Sequence, residues 1–269
     1  MKRFGGNGIW IAGIAVLITA LSMLHVRTIH TVHYTVDINK EIVNQKLRFL
    51  LVTDLHLGTT NNENIFQTLY NTAKEEQVDY IFIGGDMIDE STSDELIASA
   101  YEWLSKITKE YPVYFVLGNH EYIRGGVELI VEQMELSGVH VLTDEVVLVD
   151  EAFYLIGRID KYQSIVSTER ASLEDLTQNI DLTYPVILLD HQPVDLKLAK
   201  EQKVDLMLSG HTHGGQFFPI TIFANLFNEQ LYGLRKDKEF HSIVSSGAGV
   251  WGMAMRNASN SEMVVIDVK

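Results

Sequence analysis

Five short polar clusters follow five apolar runs in the sequence, and they hold most of the side chains that could bind a metal. The clusters read TDLH, GGD, GNH, LDH and GHTH. One histidine at a strand end is more often a hydrogen-bonded structural group than a ligand. A structural role does not explain why the same polar ending recurs after five runs, so we interpret the clusters as one site. Its members are Asp54, His56, Asp86, Asn119, His120, His191, His211 and His213.

The side-chain types in these clusters indicate the chemistry. The chain has no cysteine, so thiolate ligands and disulfides are excluded, and carboxylate, amide and imidazole groups suit Mn, Fe, Zn, Ni or Mg. These groups outnumber the ligands of one ion, which predicts two divalent ions. Such a pair, about 3.5 to 4 Å apart, can hold a phosphoryl oxygen, activate water and stabilise an in-line transition state. The glycines in the clusters allow close backbone approach and positive φ angles.

Alternating strands and helices are predicted to position the clusters. The run LRFLLV before TDLH is typical of a strand buried on both faces, and helices predicted over 64–76 and 93–110 lead to the strands before GGD and GNH. Helices are also predicted over 126–137 and 194–201, adjacent strands in VVLVD and FYLIGRI, and strands of a second sheet in FHSIVSS and EMVVIDV. This order predicts an α/β domain with a largely parallel inner sheet and a site beyond the carboxyl ends of its strands.

The N-terminal region differs from the rest of the chain. The 23 residues between Arg3 and Arg27 have no formal charge, and a helix of that length spans a hydrocarbon layer of roughly 30 Å. Only a weak small-x-small pattern occurs at 20–22, which favours an uncleaved anchor over a secretory signal. Because Lys2 and Arg3 precede the span, we expect the catalytic part outside the cytoplasm. We therefore divide the chain into an anchor, 1–27, and a catalytic domain, 28–269.

The charge of the chain narrows the possible partners. The formal net charge is −15, and no stripe of lysine and arginine interleaved with aromatic residues offsets it locally. A nucleic acid partner is therefore excluded. A membrane and a phosphorylated small-molecule or lipid substrate are the partners that we expect.

The motifs D-x-H, GD, GNHE, an isolated H and GHTH occur in the order found in the calcineurin-like metallophosphoesterase superfamily, which the chain resembles over residues 47–266. The resemblance implies a four-layer αββα sandwich. It also implies that Asp86 bridges two ions, and that His120 is the general acid and Glu121 orients the site. The implied ligands of the first ion are Asp54, His56, Asp86 and His213, and those of the second are Asp86, Asn119, His191 and His211.

The chain is similar to a membrane-associated bacterial branch of this superfamily, which includes UDP-2,3-diacylglucosamine pyrophosphatase-like enzymes. The similarity lies in the N-terminal membrane segment and in the motifs TDLHLG, GGDMID and GHTHGGQ. This similarity implies hydrolysis of a phosphodiester or pyrophosphate bond in a lipid-linked substrate. Two alternatives are a phosphomonoesterase acting on nucleotides or phosphoproteins, and a catalytically silent scaffold. The complete set of ligand positions argues against the scaffold.

Several residues near the clusters have two interpretations. The apolar segment 216–234 begins with Phe217 and Phe218, and it is either a core helix and turn or a lipid-facing wall beside the metals. Arg124 and Arg256 either reach a substrate phosphate or are solvated loop residues. Asp190 precedes His191 and is expected to support it.

Overall fold

The structure is a computed structural model that describes residues 5–40, 42, 46–59, 64–166 and 169–269. The α-helices among those residues are α1 Gly5–His25, α2 Ile65–Glu76, α3 Asp94–Ile107, α4 Asn119–Arg124, α5 Val127–Leu136, α6 Lys161–Val166, α7 Leu173–Thr177, α8 Leu196–Glu201 and α9 Ile220–Phe227. The strands are β1 Ile29–Val36, β2 Leu47–Val52, β3 Tyr80–Ile83, β4 Val113–Phe115, β5 His140–Val141, β6 Glu145–Val149, β7 Phe153–Gly157, β8 Val186–Leu189, β9 Leu206–Ser209, β10 Gly233–Asp237, β11 Phe240–Val244 and β12 Ser261–Val268.

The strands form two six-stranded sheets. The first sheet has the order β1-β12-β2-β3-β4-β5, and β2 to β5 run parallel. The second has the order β10-β11-β9-β8-β7-β6, in which β11, β9, β8 and β7 run parallel and the two edge strands are antiparallel. The predicted adjacency of VVLVD and FYLIGRI is confirmed by the antiparallel pair β6 and β7.

The prediction for the last strand was wrong. EMVVIDV belongs to β12, which lies in the first sheet between β1 and β2 and runs antiparallel to β2. Seven of its eight residues are buried, which suits a central position in a sheet with both faces covered. The sequence of a buried strand does not specify which of two sheets the strand joins. That choice depends on contacts with residues that are distant in the chain.

Alternating side chains of the first sheet build two different cores. In β2, Phe49 and Leu51 face the second sheet, whereas Leu50 and Val52 face the helices α2, α3 and α5. Phe49 packs between the sheets, with its ring centroid 5.4 Å from that of Phe153 in β7. A third core joins the second sheet to α7 and α8. Three cores between four layers confirm the predicted αββα sandwich.

The helices predicted at 64–76, 93–110, 126–137 and 194–201 correspond to α2, α3, α5 and α8. The start of α3 is fixed by Ser93, whose side chain accepts a hydrogen bond from the backbone N–H of Leu96.

The apolar N-terminal helix is present as α1, and Gly8–His25 is long and apolar enough to cross a membrane. Its described side chains are exposed up to Leu21, whereas Ser22 and Val26 are buried against the rest of the molecule. Lys2 and Arg3, on which the expected orientation depends, lie outside the described residues.

Candidate metal centre

The loops after β2 and β3 carry the first predicted ligands and are hydrogen-bonded to each other. The N–H of Asp54 donates to the carbonyl of Gly85 over 2.9 Å, and that of His56 donates to the carbonyl of Asp86 over 3.1 Å. The loop after β9 joins them, because the N–H of His211 donates to the Asp54 carboxylate over 3.0 Å. Ligands from both sheets are thereby brought to one edge.

Five of the seven predicted ligands have a backbone φ in the left-handed region, between 42° and 69°. They are Asp54, His56, Asp86, His211 and His213. Residues other than glycine rarely adopt this conformation, and where they do, surrounding contacts must hold it. The clustering of such residues at one edge is typical of a functional site.

The structure brings all seven predicted ligands and His120 together. Three overlapping groups have ligand atoms within 4.8 Å of one another, namely Asp54 with His56 and His213, Asp86 with His191 and His211, and Asp86 with His56 and His120. Asn119 completes the set, because its Oδ1 lies 3.1 Å from Nε2 of His191. His56 and Asp86 each belong to two groups, and Asp86 is the carboxylate that links the groups from the two sheets.

The geometry of the centre fits bound divalent ions. Nε2 of His56 lies 3.8 Å from Oδ2 of Asp86, and Nε2 of His213 lies 3.6 Å from Oδ1 of Asp54. These distances are too long for hydrogen bonds, but two ligand atoms at about 2.1 Å from one ion are themselves roughly 3 to 4 Å apart, depending on the angle between them. Nε2 of His56 is also buried and has no hydrogen-bond partner among the described residues.

Hydrogen bonds fix the rings of two ligands from behind. Nδ1 of His56 lies 3.1 Å from Oδ2 of Asp89, and Nδ1 of His191 lies 2.8 Å from the carbonyl of Gly84. Histidine ligands commonly donate their second N–H to a carboxylate or carbonyl in this way. The arrangement turns Nε2 of both rings toward the Asp86 carboxylate, where an ion would bind.

The buried charges interact strongly. Burial favours the neutral form of Asp86, but the charge and hydrogen bond of His191, 3.1 Å away, together with the charges of His56 and His120, lower the pKa of Asp86 overall. Desolvation disfavours charged His191 in turn, but the Asp86 carboxylate raises the pKa of His191 overall. Burial raises the pKa of Asp54. Carboxylates crowded away from water favour a compensating cation, which a divalent ion supplies.

Two glycines let the backbone pass directly behind the ligands. A Cβ atom on Gly118 would overlap Oδ1 of Asp86, and one on Gly210 would overlap Oδ2 of Asp54. Alanine at either position would therefore displace a ligand carboxylate, which explains why glycine flanks the motifs here.

Glu121 lies behind Asp86 and is fully buried. Its carboxylate accepts hydrogen bonds from four backbone N–H groups, those of Asp86, Met87, Ile88 and Gly118, at 2.7 to 3.1 Å. It therefore ties the turn after β3 to the start of α4, the helix that carries Asn119 and His120.

His120 lies beside the ligands on α4. Its backbone N–H donates to Oδ1 of Asp86 over 2.8 Å, and its Nδ1 lies 2.8 Å from Oε2 of Glu90. The ring of Trp251 is 6.4 Å from the His120 ring, centroid to centroid. Sequence analysis missed Glu90, whose only signal is its position four residues after Asp86.

The structure corrects the solvated-loop interpretation of two arginines. Arg124 donates from Nη1 to the carbonyls of Asp89 and Thr92 over 2.8 and 2.9 Å, which holds that loop against α4. Arg256 is fully buried, and its Nη2 donates to the carbonyls of Ser246 and Gly249. Both guanidinium groups donate to backbone carbonyl groups of neighbouring loops, so neither side chain is a solvated loop residue.

Arg256 also lies directly behind a ligand. Its Nη2 is 3.2 Å from Nδ1 of His213. Burial lowers the pKa of Arg256 to about 10, so the guanidinium remains charged at neutral pH. The two residues are 43 positions apart, and no local sequence signal joins them.

Asp190 is fully buried behind His191 and forms an ion pair with Arg170. Burial raises the pKa of Asp190 to about 6, although Arg170 and Arg158 act in the opposite direction. The ion pair with Arg170 therefore anchors Asp190 at the start of the loop that carries His191.

The core-helix interpretation of the segment after GHTHGG was wrong. The segment does form a helix, α9, but no residue of α9 is buried. Phe217 is half-buried and Phe218 is exposed. An apolar helix has the same sequence pattern whether its apolar side chains enter a protein core or remain on the surface.

A cluster of aspartate, asparagine and histidine side chains at the shared edge of two sheets is typical of metal-dependent phosphoesterases. Residues 47–215, more than half of the chain, match the calcineurin-like phosphoesterase family, and the chain belongs to that family. The fold of this family implies a dinuclear divalent metal centre, and the described residues offer candidate ligands for it. The match identifies the family. It does not identify the membrane-associated bacterial branch with a UDP-diacylglucosamine-like substrate, which stays a prediction.

Relatives in several organisms are metallophosphoesterases. The chain is 33% identical to a transmembrane protein with a metallophosphoesterase domain from Danio rerio, over 83% of this chain and 53% of the relative. It is 32% identical to a metallophosphoesterase of Helicobacter pylori, over 83% of this chain and 60% of the relative. The chain thus spans between half and two thirds of the length of these relatives. The metallophosphoesterase YkoQ of Bacillus subtilis is 30% identical, over 81% of this chain and 82% of YkoQ.

Among solved structures, GAP50, the anchor in the inner membrane complex of Plasmodium, has a TM-score of 0.50 and 16% identity, over 82% of this chain and 81% of that chain. This similarity concerns the fold alone.

Proposed function

We propose that this chain hydrolyses a phosphodiester or pyrophosphate bond of a membrane-bound or lipid-linked substrate, such as a UDP-diacylglucosamine-like compound. The observation that carries the proposal is the proximity of three candidate ligand groups, which are linked to one another through His56 and Asp86. In this proposal the ions are two of Mn, Fe, Zn, Ni or Mg. The first is held by Asp54, His56, Asp86 and His213, and the second by Asp86, Asn119, His191 and His211.

Bound ions would supply an activated water and neutralise the charge on the phosphoryl oxygens. The protein supplies the remaining parts of the reaction. His120 donates a proton to the departing oxygen, and Glu90 keeps its ring in place through the contact at Nδ1. Glu121 holds the turn of Asp86, and Asp190 and Arg124 hold the neighbouring loops.

Two observations support a membrane substrate. Phe218 is exposed five residues after His213, so an apolar surface begins directly beside the proposed centre. The chain also carries an apolar helix that could span a membrane, and relatives in Danio rerio and Bos taurus are named transmembrane proteins. In the double variant Phe217→Ser/Phe218→Ser we expect weaker turnover of lipid-linked substrates and unchanged turnover of soluble esters. An equal loss on both would exclude a lipid-binding role for the pair.

The division into an anchor, 1–27, and a catalytic domain, 28–269, outside the cytoplasm is part of this proposal. Leu136 is exposed on α5, and the chain has no cysteine, so Leu136→Cys introduces one accessible thiol. In intact cells this thiol should react with a membrane-impermeant maleimide. Reaction only after cell lysis would place the domain in the cytoplasm.

The full-length chain with added Mn²⁺ tests the reaction itself. We expect it to hydrolyse bis-p-nitrophenyl phosphate faster than p-nitrophenyl phosphate. We expect His211→Ala to abolish most of this activity and His120→Ala to reduce it. His140→Ala is the matched control, because His140 is exposed and paired with Glu145 away from the centre. Preference for the monoester would indicate a phosphomonoesterase. Full activity of both variants would contradict the proposed site.

A further inference from the structure

An exposed apolar surface lies next to the metal centre. We define the apolar face as Phe218, α9, Trp251 and Met253. Phe227 is 84% exposed, Leu226 75% and Trp251 56%, and α9 contains no charged residue although the chain carries a net charge of −15. Contiguous exposed apolar groups of this kind mark a surface that contacts a partner or a membrane.

Hydrogen bonds hold the two parts of the apolar face together. Gln216 donates to the carbonyl of Trp251 over 2.9 Å and accepts from its N–H over 3.2 Å. The N–H of Phe218 donates to Oδ1 of Asn257 over 2.8 Å. The loop after β11 and the segment leading into α9 therefore form one continuous surface.

The same loop contacts the end of the candidate membrane span. The N–H of Arg256 donates to the carbonyl of Ser22 over 3.1 Å, and Nε2 of His25 lies 2.7 Å from Oδ1 of Asn260. The described part of α1 before Ser22 is exposed. If α1 spans a bilayer, its boundary with water lies near Ser22, and the loop with Trp251 and Met253 lies at that boundary too.

We propose that the apolar face docks onto the surface of the bilayer that α1 spans. Its aromatic, leucine and methionine side chains would enter the interfacial region, where tryptophan and phenylalanine are favoured and where an apolar helix can lie in the membrane plane. A bilayer suits this face better than a protein partner, because the span is attached beside it. The continuity from α1 through the loop to α9 carries the proposal.

Docking would place the opening of the metal centre at the membrane. Trp251 belongs to the apolar face and its ring lies 6.4 Å from that of His120, and Gln216 follows His213 by three residues. This inference concerns where the centre lies and not which ester it cleaves. It rests on the anchor, 1–27, of the proposed function, but it does not depend on the proposed reaction or substrate.

Spin labelling of the full-length chain in phosphatidylethanolamine and phosphatidylglycerol nanodiscs tests the proposal. Because the chain has no cysteine, Phe227→Cys and Met253→Cys each give one labelled site. Leu182→Cys is the control, because Leu182 is 45% exposed and lies beside Val204 and Phe240, at the edge of the second sheet opposite the metal centre. The readout is collision of the nitroxide with oxygen, which concentrates in lipid, and with the water-soluble complex NiEDDA.

At positions 227 and 253 we expect higher oxygen collision and roughly threefold lower NiEDDA collision than at 182, because lipid excludes the polar complex. NiEDDA collision equal to that at 182 would overturn the proposal, since the face would then lie in water. Protection from both reagents would also overturn it, since a protein partner or a second copy would then cover the face.

A second variant tests the contribution of α9 itself. Phe223→Ser/Phe227→Ser changes two exposed residues, so we expect the chain to fold and to retain its metal content and its activity on bis-p-nitrophenyl phosphate. In this background the label at Met253→Cys should lose about half of its protection from NiEDDA. Unchanged protection would show that α9 does not hold the face at the bilayer.

Discussion

At the level of single residues, the pairing of Glu90 with His120 gives the first prediction. Glu90→Gln removes the carboxylate that accepts from Nδ1 of His120 but leaves the ring in the site. We expect kcat to fall roughly tenfold with KM unchanged, as for other residues that orient a functional histidine. Glu145→Gln is the matched control, because Glu145 pairs with His140 on the surface. An unchanged kcat in Glu90→Gln would show that Glu90 does not orient the His120 ring for catalysis.

The proposed acid role of His120 predicts a dependence on the leaving group. A general acid contributes about 100-fold or more when the departing oxygen needs a proton. His120→Ala should therefore lose about 100-fold or more on a phenyl diester, but less on the p-nitrophenyl diester, whose leaving anion is stable without a proton. Equal losses on both esters would assign His120 to binding instead.

Glu121 gives a stability prediction. Its carboxylate accepts from four buried N–H groups, and an amide at this position would turn a donor toward some of them. Glu121→Gln should lower the free energy of unfolding by about 3 kcal/mol and reduce metal binding through the turn of Asp86. Thermal unfolding and metal content check this, with Glu135→Gln at an exposed position of α5 as control. A variant as stable as the wild type would show that Glu121 does not hold the turn after β3 in place.

At the level of elements, the ion pair between β2 and β12 predicts a pH dependence. Arg48 donates to both carboxylate oxygens of Asp267 over 2.7 and 3.2 Å, and this hydrogen bonding lowers the pKa of Asp267. The folded pKa therefore lies below the unfolded value of about 3.9. The stabilisation is complete above the unfolded pKa and disappears as the pH falls through the folded pKa.

Asp267→Asn should thus cost about 1 kcal/mol of unfolding free energy at pH 7, a value kept small by partial exposure, and almost nothing near pH 2. Denaturant unfolding at both pH values measures the difference. The exposed Asp37→Asn serves as control and should show neither effect. A cost that is the same at both pH values would show that packing, and not the ion pair, is responsible.

The elements also show what the sequence could and could not predict. The candidate metal ligands could be selected from the sequence because each follows a buried strand, so local order places them at one edge. The sheet of β12, the contact of Arg256 with His213 and the pairing of Glu90 with His120 all depend on residues distant in the chain. The exposure of α9 was not predictable either, because an apolar helix looks the same in a core and on a surface.

At the level of the whole molecule, two sheets, an apolar face and a candidate span converge on one end. The first sheet supplies Asp54, His56, Asp86 and Asn119, and the second supplies His191, His211 and His213. The centre therefore depends on the packing of the sheets through the core around Phe49 and Phe153. Phe153→Ala should cost about 3 to 5 kcal/mol in unfolding free energy and also lower metal affinity. Unaltered metal affinity in the folded variant would show that the centre is independent of the inter-sheet core.

The most direct test of the central claim is the metal content of the purified full-length chain after loading with Mn²⁺ and gel filtration, measured by mass spectrometry of the elements. We expect two ions per chain in the wild type and in His140→Ala, loss of both ions in Asp86→Ala, and loss of one in His213→Ala, because only Asp86 belongs to both ligand sets. One ion per wild-type chain, or two ions retained in Asp86→Ala, would contradict a dinuclear centre bridged by Asp86.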